Sequence, residues 1–177
     1  MSAPPPSASN PELTPQLNRL AKTVAKLNHG PQWWRRWLLD RALGFTIKLV
    51  GTAGVQCVRL THEEGVFVLK SRRKVHNHIK GIHAAAMALL AETATGLVVG
   101  MNLPDDRLPL IKSLHVDYLK RASGDLKAVA TLTPEQRALL LSEPKGEVTV
   151  AVRVTDSEGK EPIRCEMVWA WVPKRRP

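Results

Sequence analysis

Residues 77–99 read Asn77-His78-Ile79-Lys80-Gly81-Ile82-His83-Ala84-Ala85-Ala86-Met87-Ala88-Leu89-Leu90-Ala91-Glu92-Thr93-Ala94-Thr95-Gly96-Leu97-Val98-Val99. From Ile82 onward almost every residue is apolar or small, with no repeating polar face, and a helix that is apolar all round is a buried helix. Glu92 is the one charge in it. Unpaired carboxylates are rarely buried, because removing the charge from water costs several kcal/mol. A misplaced charge in a core helix is therefore a candidate functional group, although structural ion pairs produce the same pattern.

Helix geometry restricts how such a group can act. Gly81 precedes the apolar run, so the helix is expected to start near Ile82 or His83. His83 and Ala84 then fall in the first turn, where backbone N–H groups lack intrahelical partners and the dipole is positive. Glu92 follows His83 by nine positions, about 13.5 Å along the axis and roughly half a revolution around it. One chain cannot easily aim both groups at one atom, so a shared site requires the second group from a partner chain across a two-fold axis.

The rest of the chain frames this helix. Residues 1–10 are rich in Pro, Ser and Ala and are expected to be disordered. Leu13, Leu17, Leu20, Val24 and Leu27 have helical spacing, stopped by Asn28-His29-Gly30-Pro31. A second amphipathic segment, about Gln32–Leu49, sets Trp33, Trp34 and Trp37 beside Arg35, Arg36 and Arg41. Trp and Arg favour a membrane surface. Adjacent tryptophans cannot share one helix face, which favours packing over a sheet edge or pocket instead.

Strand signals flank the apolar helix. Val55–Thr61 and Val66–Arg73 form an expected hairpin about His62-Glu63-Glu64-Gly65, and Leu108–Arg121 a long strand. Ser123-Gly124-Asp125 turns into Leu126–Leu132, and Thr133-Pro134-Glu135-Gln136 starts a short helix ending near Ser142. Glu147–Thr155 and Pro162–Val172 alternate with period two. Helices, two strands, one apolar helix and four strands make an α+β pattern, an antiparallel sheet about a single helix. The expected organisation is a disordered 1–10, a helical extension over 11–50 and one domain over 51–173.

Composition narrows the function classes. The chain has 177 residues and a formal charge of +10. Residues 1–80 hold 13 Lys/Arg against 4 Asp/Glu, and residues 81–177 hold 13 against 12. The basic half can attract a phosphate-bearing small molecule, an anionic membrane or nucleic acid. With one Tyr and two Phe, no base-stacking platform is visible, and no nucleic-acid partner is expected. The apolar runs Ala84–Ala91 and Gly96–Met101 read as too short to span a bilayer, and no secretory signal precedes them. Two cysteines, Cys57 and Cys165, read as buried thiols. A cytoplasmic location is expected. His76, His78 and His83 match no zinc spacing, so no metal is expected.

The pattern resembles the hotdog-fold thioesterases, in which a curved antiparallel sheet wraps a long central helix. In the phenylacetyl- and hydroxybenzoyl-CoA type, an Asn or Gln stands six positions before a His-Gly-Gly at the helix start. An acidic residue follows nine positions after that His, and Asn77, His83 and Glu92 reproduce both spacings. Residues 114–126, Leu114-His115-Val116-Asp117-Tyr118-Leu119-Lys120-Arg121-Ala122 and Gly124-Asp125-Leu126, resemble the strand and turn that follow. Ala84 and Ala85 replace the two glycines, as in a branch of hotdog proteins of unknown function with His-Ala.

The resemblance implies hydrolysis of an acyl-CoA or acyl-carrier thioester by a homodimer or a dimer of dimers. Coenzyme A would enter as part of the substrate, with no separate cofactor. The Ala84 N–H would polarise the carbonyl and Glu92 of the opposite subunit would activate water or attack. Asn77 would hold the water or the thioester, and His83 would orient the carbonyl or hold the loop. Arg72, Arg73, Lys120 and Arg121 are placed to meet CoA phosphates. Each also has an ordinary explanation: a turn for Asn77, a first-turn contact for His83, an interfacial Arg pair for Glu92, a solvated charge run for the basic residues. The rival reading is a non-catalytic hotdog protein that binds acyl-CoA or a lipid. A third is a basic surface-binding protein for an anionic membrane or nucleic acid.

Overall fold

In a computed structural model of the chain, residues 18–27 and 32–174 are described, with the backbone alone for Leu27 and for residues 32–36. The expected disorder at 1–10, the helix start at Pro11 and the side chains of Trp33, Trp34, Arg35 and Arg36 lie outside the described residues. The elements run α1 (Arg19–Leu27), α2 (Gln32–Thr46), α3 (Lys48–Ala53), β1 (Val55–Leu60), β2 (Glu64–Leu69), α4 (Ala84–Asn102), β3 (Arg107–Tyr118), β4 (Leu126–Thr131), α5 (Pro134–Ser142), β5 (Gly146–Asp156) and β6 (Ile163–Pro173), with a 3-10 turn at Arg73–Val75. The six strands form one antiparallel sheet in the order β1-β2-β4-β5-β6-β3. All six pack on α4.

Burial explains the wrap. On α4, Leu90, Ala91, Ala94, Val98 and Val99 have no exposed surface, and Phe67, Leu69, Ala128, Ala130, Met167 and Trp171 close over them from the sheet. Each fully buried Leu, Val or Met side chain contributes about 1.5–3 kcal/mol, so the absence of a polar face is what holds the helix inside. Its polar groups are satisfied locally. Thr93 and Thr95 donate to the carbonyls of Leu89 (2.6 Å) and Ala91 (3.0 Å), and the indole N–H of Trp169 donates to Thr95 Oγ1 (2.9 Å). Trp169 lies so close to Gly96 that a Cβ there would sit 2.6 Å from the ring.

The N-terminal helices are pinned to the far end of α4. Asn18 Oδ1 accepts from the Ala21 N–H (2.7 Å), capping α1, and Nδ2 donates to the carbonyls of Gly100 (2.7 Å) and Leu103 (2.6 Å). One side chain thus serves orphan groups of two helix ends.

Three expectations require correction. The second amphipathic segment is two helices, because the chain breaks at Ile47, where a Cβ on Gly51 would stand 2.8 Å from the Gly44 carbonyl oxygen. That approach of two backbones, which folds α3 back on α2, carries no periodicity signal. At 19 residues and a mean hydropathy of 1.6, α4 is long and apolar enough to cross a bilayer, contrary to the reading of its runs as too short. The sheet around it makes it a core helix. His76 and His78 do not share a strand; His76 forms an isolated bridge with Ile82, and its Nε2 lies 2.9 Å from Ser71 Oγ. Cys57 is buried, Cys165 is half-buried, and no disulfide joins them; burial pushes the Cys165 thiol up to about 11.

The two edges of the sheet differ. The β1 edge is covered by α2, and the Cys57 N–H donates to Asp40 Oδ1 at 2.7 Å. Nothing among the described residues covers β3. Its Ile111, Leu114 and Tyr118 stand opposite Trp169, Met167 and Ile163 and so face the helix side of the sheet, yet they are 38%, 45% and 51% exposed. A twelve-residue uncovered edge with outward Leu108 and Leu110 also exposed is a template for a second strand.

Candidate active site at the start of the central helix

The loop before α4 is closed by its own backbone. Asn77 Oδ1 accepts from the N–H groups of Ile79 (3.1 Å) and Gly81 (3.0 Å), and the Asn77 N–H donates to the Gly81 carbonyl (2.8 Å). Lys80 adopts φ 61° within it. The His83 N–H then donates to the Val75 carbonyl at 2.8 Å, fixing the helix start to the end of the 3-10 turn. Asn77 therefore shapes the turn through Oδ1, and its amide N–H groups meet no acceptor among the described residues.

His83 is the N-cap of α4, one residue before the first helical position. Its Nδ1 accepts from the Ala85 N–H at 3.1 Å, and its carbonyl accepts from Ala86 at 2.9 Å. Imidazole is an unusual N-cap, and accepting at Nδ1 puts the proton of the neutral ring on Nε2. With Ala85 and Ala86 served, the Ala84 N–H is the first-turn donor left without a partner among the described residues. Ala84 and Ala85 are exposed.

Tyr118, not singled out from the sequence, donates its hydroxyl proton to the Ala84 carbonyl at 3.0 Å and ties the end of β3 to the helix start. Burial, then the nearby Cys165 thiol, raises its pKa. The signal available was its place at the end of an alternating strand, as the one tyrosine of the chain.

Glu92 sits two and a half turns further along α4 and is half-buried. Its carboxylate meets no hydrogen-bond or ion-pair partner among the described residues, and burial raises its pKa above the ordinary 4.5. The helix thus carries an unpaired donor at its start and an unpaired acceptor midway, separated along its axis.

The basic residues divide into two groups. Lys120 and Arg121 line a cavity of about 460 Å3 beside Gly81 and Ile82, joined by Lys80 and Lys160 and by the carboxylates Asp156 and Glu158, the latter 2.6 Å from Lys160 Nζ. Arg121 also donates to the Ile79 carbonyl at 3.0 Å, linking this cavity to the Asn77 loop. Arg72 lines a separate cavity with Trp37 and Arg41, and Arg73 lies exposed in the 3-10 turn. Lys80 and Lys160 were not singled out from the sequence, because the β5–β6 turn that carries Lys160 is distant in the chain. No group of three or more His, Cys, Asp or Glu among the described residues is arranged to hold a metal.

The fold defines an α+β domain of the hotdog class, and solved structures share it. A protein of unknown function from Pseudomonas aeruginosa described as a "Probable Thioesterase" matches with a TM-score of 0.63 at 22% identity over 77% of this chain and 95% of its own. A thioesterase from Haemophilus influenzae matches with 0.62 at 14% over 76% and 88%. A mutant thioesterase enzyme from Staphylococcus aureus matches with 0.62 at 16% over 71% and 99%. The chain belongs to the DUF4442 family, a domain of unknown function, whose model matches residues 35–172. No curated protein is significantly similar in sequence.

Proposed function

We propose that the protein hydrolyses an acyl-CoA or acyl-carrier thioester, in a dimer formed edge to edge through β3. The observation that carries this reading is the pair of unsatisfied groups on α4: the Ala84 N–H at the helix start and the half-buried Glu92 carboxylate nine residues on. An antiparallel approach of two β3 edges sets the two α4 helices antiparallel, which brings Glu92 of one chain level with the helix start of the other. The exposed Ile111 and Leu114, on the helix side of β3, would be covered in the same step.

In that arrangement the thioester carbonyl oxygen accepts from the Ala84 N–H, where the helix dipole also favours negative charge. Glu92 of the second copy takes a proton from water as the water oxygen attacks the carbonyl carbon. The C–S bond then breaks, and the proton passes to the departing thiolate. Asn77 Nδ2, free of the turn that Oδ1 holds, is a donor for the water or the thioester oxygen. His83 holds the helix start through Ala85, a positioning role. The cavity lined by Lys80, Lys120 and Arg121 adjoins this point, and these three cations suit the phosphates of CoA.

Thiol release from a panel of acyl-CoAs of varied chain length tests the reading. Turnover of at least one member supports it; tight acyl-CoA binding without release by the dimer would instead make the chain a binding protein. Lys120→Ala is expected to raise KM several-fold with little change in kcat, since it removes binding common to ground and transition states. Arg72→Ala, on the other cavity, is expected to leave both unchanged.

A further inference from the structure

Helices α2 and α3 carry an exposed row that the hydrolase reading does not use. Trp37, Arg41 and Phe45 are spaced i, i+4, i+8 on α2, and Lys48 and Leu49, just past the break at Ile47, are exposed as well. Phe45 is 88% exposed, Leu49 62% and Trp37 56%, and the Arg41 guanidinium stands 5.1 Å from the centre of the Trp37 ring. The opposite side of the same helices is buried through Leu43 and Val50. Asp40, the one carboxylate of α2, lines the same cavity as Trp37, Arg41 and Phe45, where its Oδ1 accepts from the Cys57 N–H. The exposed positions themselves are apolar tips and cations, with that carboxylate held at their base.

We infer that this row docks the protein on an anionic lipid bilayer, with Phe45, Leu49 and Trp37 in the headgroup boundary and Arg41 and Lys48 against lipid phosphates and carboxylates. Charge complementarity carries the choice of occupant. The row lies in the basic half of the chain, 13 Lys/Arg against 4 Asp/Glu in residues 1–80. Aromatic and aliphatic tips flanked by cations suit an anionic interface, where a chain gains from both insertion and surface potential. A second copy is a poor occupant, because a two-fold contact through this face would set Arg41 and Lys48 against their own copies. The β1 edge, which α2 covers, is at the opposite end of the sheet from β3, so an edge-to-edge dimer leaves the row open.

Co-sedimentation of the full chain with phosphatidylcholine vesicles, with and without phosphatidylserine, tests this. The wild type is expected to bind the phosphatidylserine vesicles and to be released by salt. The double variants Phe45→Ser with Leu49→Ser, and Arg41→Glu with Lys48→Glu, are each expected to weaken that binding about tenfold or more. Their mass by light scattering and their circular dichroism should match the wild type. Three results would overturn the inference: no binding by the wild type, binding unchanged in both variants, or a lower oligomer for Phe45→Ser with Leu49→Ser. Loss in the charge variant alone would also overturn it, marking a general polyanion surface such as one for nucleic acid.

Discussion

Glu92→Gln is expected to lower kcat for thioester hydrolysis by about 10²-fold or more while leaving KM within a few-fold. The substitution keeps size and hydrogen-bonding capacity but removes the basic oxygen that takes the proton of the attacking water. Stability should move the other way. Burial raises the Glu92 pKa above its ordinary 4.5, so the folded chain holds this proton more tightly than the unfolded chain. Such a group subtracts stability as pH rises from the unfolded pKa through the raised folded one, and the full penalty is present only above the latter. The melting temperature of Glu92→Gln at pH 7 should equal or exceed that of the wild type, and the difference should shrink as pH falls toward the ordinary 4.5 and be gone below it. A variant that keeps its rate and melts earlier would make Glu92 a member of a structural ion pair.

Ala84→Pro removes the donor at the other end of the proposed site without disturbing the helix. Proline is favoured at the first helical position, where its missing N–H has no intrahelical partner anyway. The preceding residue, His83, already has φ −65° and ψ 140°, a conformation that a following proline requires. The melting temperature should therefore change little, while kcat falls on the order of 10²–10³-fold, as on loss of one oxyanion donor. Ala84→Gly keeps the N–H and should retain the wild-type rate. If Ala84→Gly instead creates turnover in a chain that otherwise has none, the Ala84 methyl blocks the carbonyl and the natural protein is a binder.

The central helix was legible in the sequence because its signal is local. An apolar run without a polar face has one stable location, and the structure places α4 at Ala84–Asn102 against an expected start near Ile82 or His83. Thr133 and Gln136 form the reciprocal cap that their spacing announces. The alternation of Val148, Val150 and Val154, and of Ile163, Met167, Trp169 and Trp171, gave the buried face of β5 and β6. What escaped reading depends on contacts distant in the chain. The α2–α3 break rests on Gly44 meeting Gly51, the Tyr118 contact on β3 ending beside the helix start, and the basic cavity on the β5–β6 turn reaching the Asn77 loop. Hydrophobic period reports which face is buried, not which partner it meets. Spacing brought Asn77 and His83 into one loop, but it grouped Arg72 with Lys120 and Arg121, which line a different cavity.

The claim on which the account turns is that each site takes its donor from one chain and its carboxylate from another. Subunit complementation measures this directly. Glu92→Gln and Ala84→Pro chains, each inactive alone, are unfolded together and refolded as an equal mixture. Half of the resulting dimers are mixed, and each mixed dimer has one site with both groups intact, so roughly a quarter of wild-type activity should return. If the two groups of each site belong to the same chain, every site in the mixture remains defective, activity stays at the level of the single variants, and the shared-site account is contradicted.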